Sequence, residues 1–317
     1  MTAQGTEVNH SMPSWDAGPA PVRVLLLMAV AVGPAPLVAQ VSPPAVLSLP
    51  GSVRSAGLHG AGAALVGDAG AVFANPVGIA TLRHIGIEGT YRRTRFDATA
   101  GTAALGWRLS QFDLGLGLAY MGGDSVPLVG LSRGAGGRPY EAMGVGSLVY
   151  RFGVLAVGGS IREVRRSAGG AEERGRSGDL GIALAVFDIM AMGFSLQNVG
   201  GNWRPQSMLP LPRLARWGFT MNYTDPQGTF RLMTTLEAQW PEGQPSRWIL
   251  GGEAGIVVYG VGLLARAAYQ TRTAGTAEPA VTFGGSAALG KLRLDYAYAA
   301  RDLVGAPAHR LGLRLTL

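Results

Sequence analysis

The chain has 317 residues, of which 47% are hydrophobic and only 15% charged, with no cysteine and a formal net charge of +7. The lack of cysteine excludes a disulfide framework and a thiolate metal site, and no apolar run reaches the ~18–20 residues of a spanning helix. So apolar a chain without such a helix either buries a large core or crosses a membrane as a closed β-barrel, where every backbone polar group finds a partner.

Residues 1–39 read as a secretory leader. Arg23 precedes the short apolar run VLLLMAVAV (24–32), and small residues follow up to Ala39. That order is the signal-peptide pattern. The mature chain is expected to begin near Gln40, and Met12 is a candidate for the true start.

Within residues 40–82, small side chains dominate from Ser55 to Ala74, in the stretch SAGLHGAGAALVGDAGAVFANPVGIATL over 55–82. Gly60-x-Gly62 lacks the third glycine, the preceding strand and the following helix of a dinucleotide fold, and no Gly-Lys-Ser/Thr of a phosphate loop is present. The stretch therefore reads as narrow and close-packing. Asn75-Pro76 is expected to stop any helix, because a residue before proline avoids the helical region. A narrow segment ahead of the first strand suits the inside of a barrel, as a plug.

From residue 83 the pattern has period two. FDLGLGLAY (112–120) sets Phe112, Leu114, Leu116 and Leu118 against Asp113, Gly115 and Gly117. KLRLDYAYAA (291–300) and FRLMTTLEAQW (230–240) divide in the same way into an oily and a polar face. Strands are expected near 83–92, 97–108, 111–121, 140–151, 152–164, 177–187, 189–197, 211–223, 229–240, 246–257, 259–270, 278–289, 290–300 and 307–317. These are about fourteen, each near the ~10 residues of a tilted membrane strand. Short connections alternate with longer ones at 122–139, 165–176, 198–210, 241–245, 271–277 and 301–306. Outer-membrane barrels show this asymmetry, with short periplasmic turns. Trp107, Tyr150, Tyr223 and Tyr259 mark one end and Tyr91, Tyr120, Trp240, Trp248, Tyr269 and Tyr298 the other, as two interfacial belts. The fold class expected is an all-β membrane protein: a plug at 40–82 and an antiparallel barrel of about fourteen strands over 83–317.

Two sets of residues carry a resemblance. LVGDAGAVFANPVGIA (65–80), with Asp68, Phe73, Asn75, Pro76 and Gly78, resembles the segment ALADDASAVFWNPAGLA of the FadL-type long-chain fatty-acid transporter superfamily and its PorV/PorQ relatives. Gln197-Asn198-Val199-Gly200, GGEAG (251–255), LLARAAYQ (263–270), LDYAYA (294–299) and HRLGL (309–313) are similar to the PorV/PorQ branch. The last strand, with Arg310, Gly312, Leu315 and Leu317, resembles the C-terminal signal read by the barrel assembly machinery, with leucine where an aromatic is usual. The resemblance implies a fourteen-stranded barrel with an internal plug. It also implies one of two non-enzymatic roles: passage of hydrophobic or amphipathic small molecules, or the holding of secreted protein cargo as in type IX secretion. The short connections favour the PorV/PorQ branch by length.

The remaining chemistry is sparse. His59, His84 and His309 have no acidic neighbour at metal-ligand spacing, so neither a metal, a cofactor nor a catalytic triad is expected, and no nucleic-acid partner. Strand register points Glu88, Asp113, Arg162, Arg216, Arg231, Glu237, Glu253, Arg266, Arg293, Asp295 and Arg314 into the lumen, since a charge on the lipid face costs ~2–4 kcal/mol at midplane. They are candidates for a polar filling or a carboxylate-binding path. Arg216 and Arg266 lead, because the arginine fork suits carboxylate and phosphate. Arg92, Arg93, Arg95, Arg133, Arg138, Arg165, Arg166, Arg174, Arg176, Arg204, Arg247, Arg272 and Arg301 fall on the long-connection side, where they are expected to meet lipopolysaccharide phosphate.

Overall fold

The computed structural model describes residues 42–93, 98–123, 138–168, 171–186, 189–200, 209–271, 280–300 and 307–317; the expected leader and several long-side connections lie outside them. Fourteen strands form a closed antiparallel barrel in which every strand pairs with its neighbours in sequence and β1 closes on β14. They are β1 (Ile85–Arg93), β2 (Thr99–Leu109), β3 (Phe112–Gly122), β4 (Tyr140–Phe152), β5 (Leu155–Ala168), β6 (Ala171–Val186), β7 (Met190–Val199), β8 (Leu214–Thr224), β9 (Phe230–Pro241), β10 (Arg247–Val258), β11 (Val261–Gln270), β12 (Val281–Leu289), β13 (Leu292–Ala299) and β14 (Ala308–Thr316).

Alternation along each strand produces two chemically different faces. On β3, Leu116 and Leu118 are 58% and 66% exposed on the outer face, while Asp113 between the strand's outer residues is 1% exposed. Leu148, Ile161, Leu180, Leu250, Leu294 and Leu311 continue the exposed apolar band around the barrel. In water such a band would be a severe liability. In lipid it is the required surface. The closing seam runs Gly86↔Thr316 through Arg93↔His309. The ends of Ile85 and Leu317 exchange two backbone hydrogen bonds, so the ladder leaves no open edge. Tight turns such as Tyr259-Gly260 take positive φ at both residues, 50° and 78°, the backbone that matches the twist of paired strands.

Residues 42–82 pack against the inward-facing side of the sheet. They contain a 3-10 turn (Ala45–Ser48), a single-turn helix α1 (Val53–Gly57) and two further 3-10 turns (Ala69–Phe73 and Pro76–Thr81). Val46, Leu49, Val72, Phe73, Val77, Ile79 and Leu82 form a core with Ala100, Ala104, Met121, Met143, Val145, Val149 and Val164 of β2–β5. The wall makes room with glycine. A Cβ at Gly115 would meet Ile79, one at Gly117 would meet Phe73, and one at Gly312 would meet Val53, all within 2.9 Å. At Gly193 it would run into the carbonyl of Ala63.

Asn75-Pro76 stops the preceding 3-10 turn, which ends at Phe73 with Asn75 extended, and it also starts the next one. The Asn75 side chain accepts from the Val77 N–H, and proline sits where its missing N–H leaves no donor unmatched. Two sequence expectations are corrected. The connection expected at 165–176 is instead the continuation of a hairpin whose ladder runs to Ala168↔Ala171. Its apolar alternation fades there, but the backbone pairing persists. Arg92 and Arg166 do not stand on the rim. Both are buried on the inner face, because their strands' parity turns them inward.

Candidate functional site

The inward polar residues gather mainly around the inner segment. The glycine-rich stretch does cradle an anion, but the anion is the wall's own carboxylate. Glu237 Oε2 accepts from the N–H groups of Gly62 and Ala63 at 2.7 and 2.8 Å. Its Oε1 accepts from Arg216 at 3.0 Å and from Gln239 at 2.6 Å. Arg216 also donates to the Gly60 carbonyl and to Gln197. Asn75, fully buried, donates to the Ala63 carbonyl at 2.7 Å. Gln197 and Arg162 both donate to the Phe73 carbonyl, at 2.7 and 3.1 Å, and Arg162 pairs with Asp179 at 2.8 Å. Near the long-connection end, Glu141 accepts from the Val46 N–H at 2.8 Å and from Arg166 at 2.9 Å.

A buried ionic cluster joins α1 to β1, β10, β11, β13 and β14. Arg54 forms a fork on Glu253, at 3.1 and 3.3 Å, and reaches Asp68 at 3.2 Å. Asp68 also accepts from Arg314 at 2.6 Å, and Arg314 continues to Glu88 at 3.2 Å. Glu88 accepts from the Gly70 N–H at 3.1 Å. Arg266 bridges Glu253 and Asp295, both at 3.1 Å. Breaking one pair in such a cluster leaves a buried charge uncompensated, a loss of about 3–5 kcal/mol.

The structure thus brings Arg266, Glu253, Asp295 and Asp68 together, and Arg216 with Glu237. Arg231 and Arg293 are half-buried toward the short-turn end, Arg293 directly opposite Arg314 on the neighbouring strand. In the motif resembling the FadL-type segment, Phe73 lies over Gly117, and Pro76 lies under Gly181. A Cβ at Gly78 would meet Ala71. In the last strand Arg310 lines a cavity, Gly312 admits Val53, Leu315 pairs across Ile87 and Leu292, and Leu317 closes on Ile85. Sequence reasoning missed Arg54. Its one signal was available: it is the only ionised side chain between Gln40 and Asp68 in the sequence. His309 Nδ1 lies 2.8 Å from the Tyr296 hydroxyl on the outer face. No cluster of metal-ligating groups occurs among the described residues.

A cavity of about 180 Å³ lies between the inner segment and the ends of β8–β14 on the long-connection side. Leu47, Leu49, Ala56, Phe73, Leu214 and Ala297 supply an apolar wall. Arg216, Arg247, Arg310 and His59 supply the ionisable groups, and no carboxylate lines it among the described residues. Gln239, Gln270 and Thr282 add neutral hydrogen-bonding groups.

With this architecture in view, the chain superposes on solved outer-membrane barrels. Its fold is that of the FadL-like hydrocarbon channels. The Pseudomonas putida toluene transporter TodX matches at a TM-score of 0.54 and 12% identity, covering 83% of this chain and 96% of that one. The CymD monoaromatic hydrocarbon channel matches at 0.57 and 13%, covering 84% and 97%. A Pseudomonas aeruginosa FadL homologue matches at 0.53 and 12%, covering 84% and 98%. No family model and no curated protein sequence matches the chain. The apolar outer band, the closed ladder and these neighbours make it an outer-membrane β-barrel of the FadL-like fold.

Proposed function

We propose that the protein passes small hydrophobic or amphipathic molecules across the outer membrane, with residues 42–82 as a plug and the upper cavity as the ligand's first station. The cavity carries the reading: its lining combines an apolar wall with the cations Arg216, Arg247 and Arg310. An apolar tail would meet Leu47, Leu49 and Phe73, and a polar or acidic head would meet Arg247 and Arg310. Apolar pockets with a few placed polar groups are the usual form of small-molecule sites. The resemblance to the PorV/PorQ branch names a relationship, and no residue contact described above favours its cargo-holding role over transport.

Octanoate and octanol test the reading as matched probes. Purified protein in neutral detergent should bind both, octanoate more tightly. Arg247→Gln should weaken octanoate by about tenfold, the worth of one charge-assisted hydrogen bond, and leave octanol nearly unchanged. Absence of binding for both ligands to the wild type would remove the cavity from the argument.

A further inference from the structure

The outer face over β1–β5 is not a smooth apolar band. Register sets its outward residues in rows across the strands. The row nearest the long connections runs Tyr91, Gly101, Tyr120, Ala142, Arg165. The next runs Gly89, Ala103, Leu118, Gly144, Glu163, and a third Leu105, Leu116, Gly146, Ile161. Large side chains therefore stack on β3 and on β5, and β4 between them is bare. A second bare strip crosses Gly101 and Ala103 of β2, on the other side of the β3 ridge. The relief forms a hollow of about 1080 Å³ at the long-connection end and one of about 910 Å³ below it. The two share Leu116, Gly146 and Ile161, so one runs into the other.

The protein's own packing does not require the glycines of the β4 strip. A Cβ at Gly144 or Gly146 would meet only Leu118 or Leu116, at 3.9 and 4.0 Å, and one at Gly89 would meet nothing within 4 Å. On the inner face glycine admits the inner segment; here the space lies outside the chain. Glycine inside a strand weakens it and marks the close approach of a ligand or another backbone. Charge orients the occupant. Glu163 and Arg165 line the upper hollow, and Arg165 and Arg176 share the Glu163 carboxylate, which leaves an excess of guanidinium there. The outward residues of the lower hollow are apolar, among them Trp107, Leu114, Leu148 and Leu180. An anionic head at the long-connection end with apolar tails below it is the complement of this face, since the guanidinium fork matches phosphate oxygens.

We propose that this face seats one lipopolysaccharide molecule, with a phosphate on Arg165 and Arg176 and acyl chains along the β4 and β2 strips. From Ala142 to Leu148 the β4 strip is roughly 20 Å long by the strand rise, most of the ~25 Å apolar band of such barrels. The two strips are two strand spacings apart, about 10 Å, so a head that carries several chains fills both. The long-connection end is the outer one in barrels of this kind, which sets lipopolysaccharide rather than phospholipid beside the arginines. The seat is on the outside of the wall and stands whether or not the upper cavity carries a ligand.

The test fills the β4 strip and keeps the face apolar. The full chain, purified from outer membranes in neutral detergent, should carry lipopolysaccharide when its bound lipids are quantified by mass spectrometry. Gly144→Leu with Gly146→Leu should carry about tenfold less, the effect of displacing roughly two buried CH₂ groups. Gly252→Leu, at an outward position of β10, should leave the amount unchanged. Undiminished lipopolysaccharide in the filled variant overturns the proposal, even if Arg165→Ser with Arg176→Ser lowers it, because headgroup pairing alone would then hold the lipid. Loss of phospholipid in place of lipopolysaccharide also overturns it. So does a dimer that becomes a monomer on filling, which would make the face an interface between copies. If the double variant does not assemble, Gly144→Val and Gly146→Val are measured singly, a β-branched side chain being at home in a strand. Equal lipopolysaccharide in both would then reject the seat.

Discussion

Arg54 shows how one side chain ties the inner segment to the wall. It is 3% exposed and satisfied by two carboxylates and the Val66 carbonyl. Arg54→Met should destabilise the protein by about 3–5 kcal/mol, because Glu253 and Asp68 lose a buried counter-charge. Removing Glu253 at the same time should recover part of that loss. Arg54→Met with Glu253→Gln should therefore be more stable than the two single effects added, in urea unfolding followed by tryptophan fluorescence. Strict additivity would show that the pair is not coupled. The sequence offered this residue only as a lone charge in a run of small side chains. Its partners lie 14 and 199 positions away, and local pattern cannot pair them. Glu237 was legible as an inward charge, because strand parity fixes that. That its partners would be the amides of Gly62 and Ala63 was not, since backbone amides carry no sequence label.

At the scale of the element, strands were the easiest feature to read. Each crosses a lipid slab, so its outer face is uniformly apolar and its period is unbroken. The signal failed where the slab ends. Above it, β5 and β6 continue with Glu163, Arg165, Arg174 and Arg176 on the outer face. There the pattern becomes polar on both sides, although pairing persists to Ala168↔Ala171. Arg165 and Arg176 share Glu163, at 2.7 and 2.8 Å, and Arg174 meets Glu172 at 3.0 Å. Exposed pairs of this kind hold their partners weakly and exchange readily for phosphate. The hairpin is therefore the described element best placed to meet lipopolysaccharide. Changing Arg165, Arg174 and Arg176 to Ser should reduce the lipopolysaccharide that co-purifies with the barrel. Adding Arg166→Ser should instead cost stability, because Arg166 is buried on Glu141. If lipid content follows Arg166 and not the three exposed residues, the assignment of faces is wrong.

The whole molecule is a closed barrel whose lumen is divided. Toward β2–β5 the inner segment meets the wall chiefly through an apolar core, and toward β8–β14 through ion pairs beside smaller apolar clusters, such as Leu58 and Leu65 on Met233 and Ile249. Barrels of about eight strands fill their lumen with side chains, while those of sixteen leave an aqueous channel. Fourteen strands fall between, and here the chain's own residues 42–82 occupy the space. Both halves must fail together for water to pass, because the apolar core resists wetting and the ionic cluster resists separation. The intact protein should therefore show little single-channel conductance in a planar bilayer. Deleting residues 55–78 removes the Phe73, Asn75 and Asp68 contacts but keeps every strand. If the barrel still assembles, shown by a shift in gel mobility on heating, conductance should rise sharply. Arg54→Met keeps the apolar half and should give at most brief openings. Large, stable steps from the unaltered protein would mean that the segment does not close the lumen, and the transport reading would give way to simple diffusion through a pore.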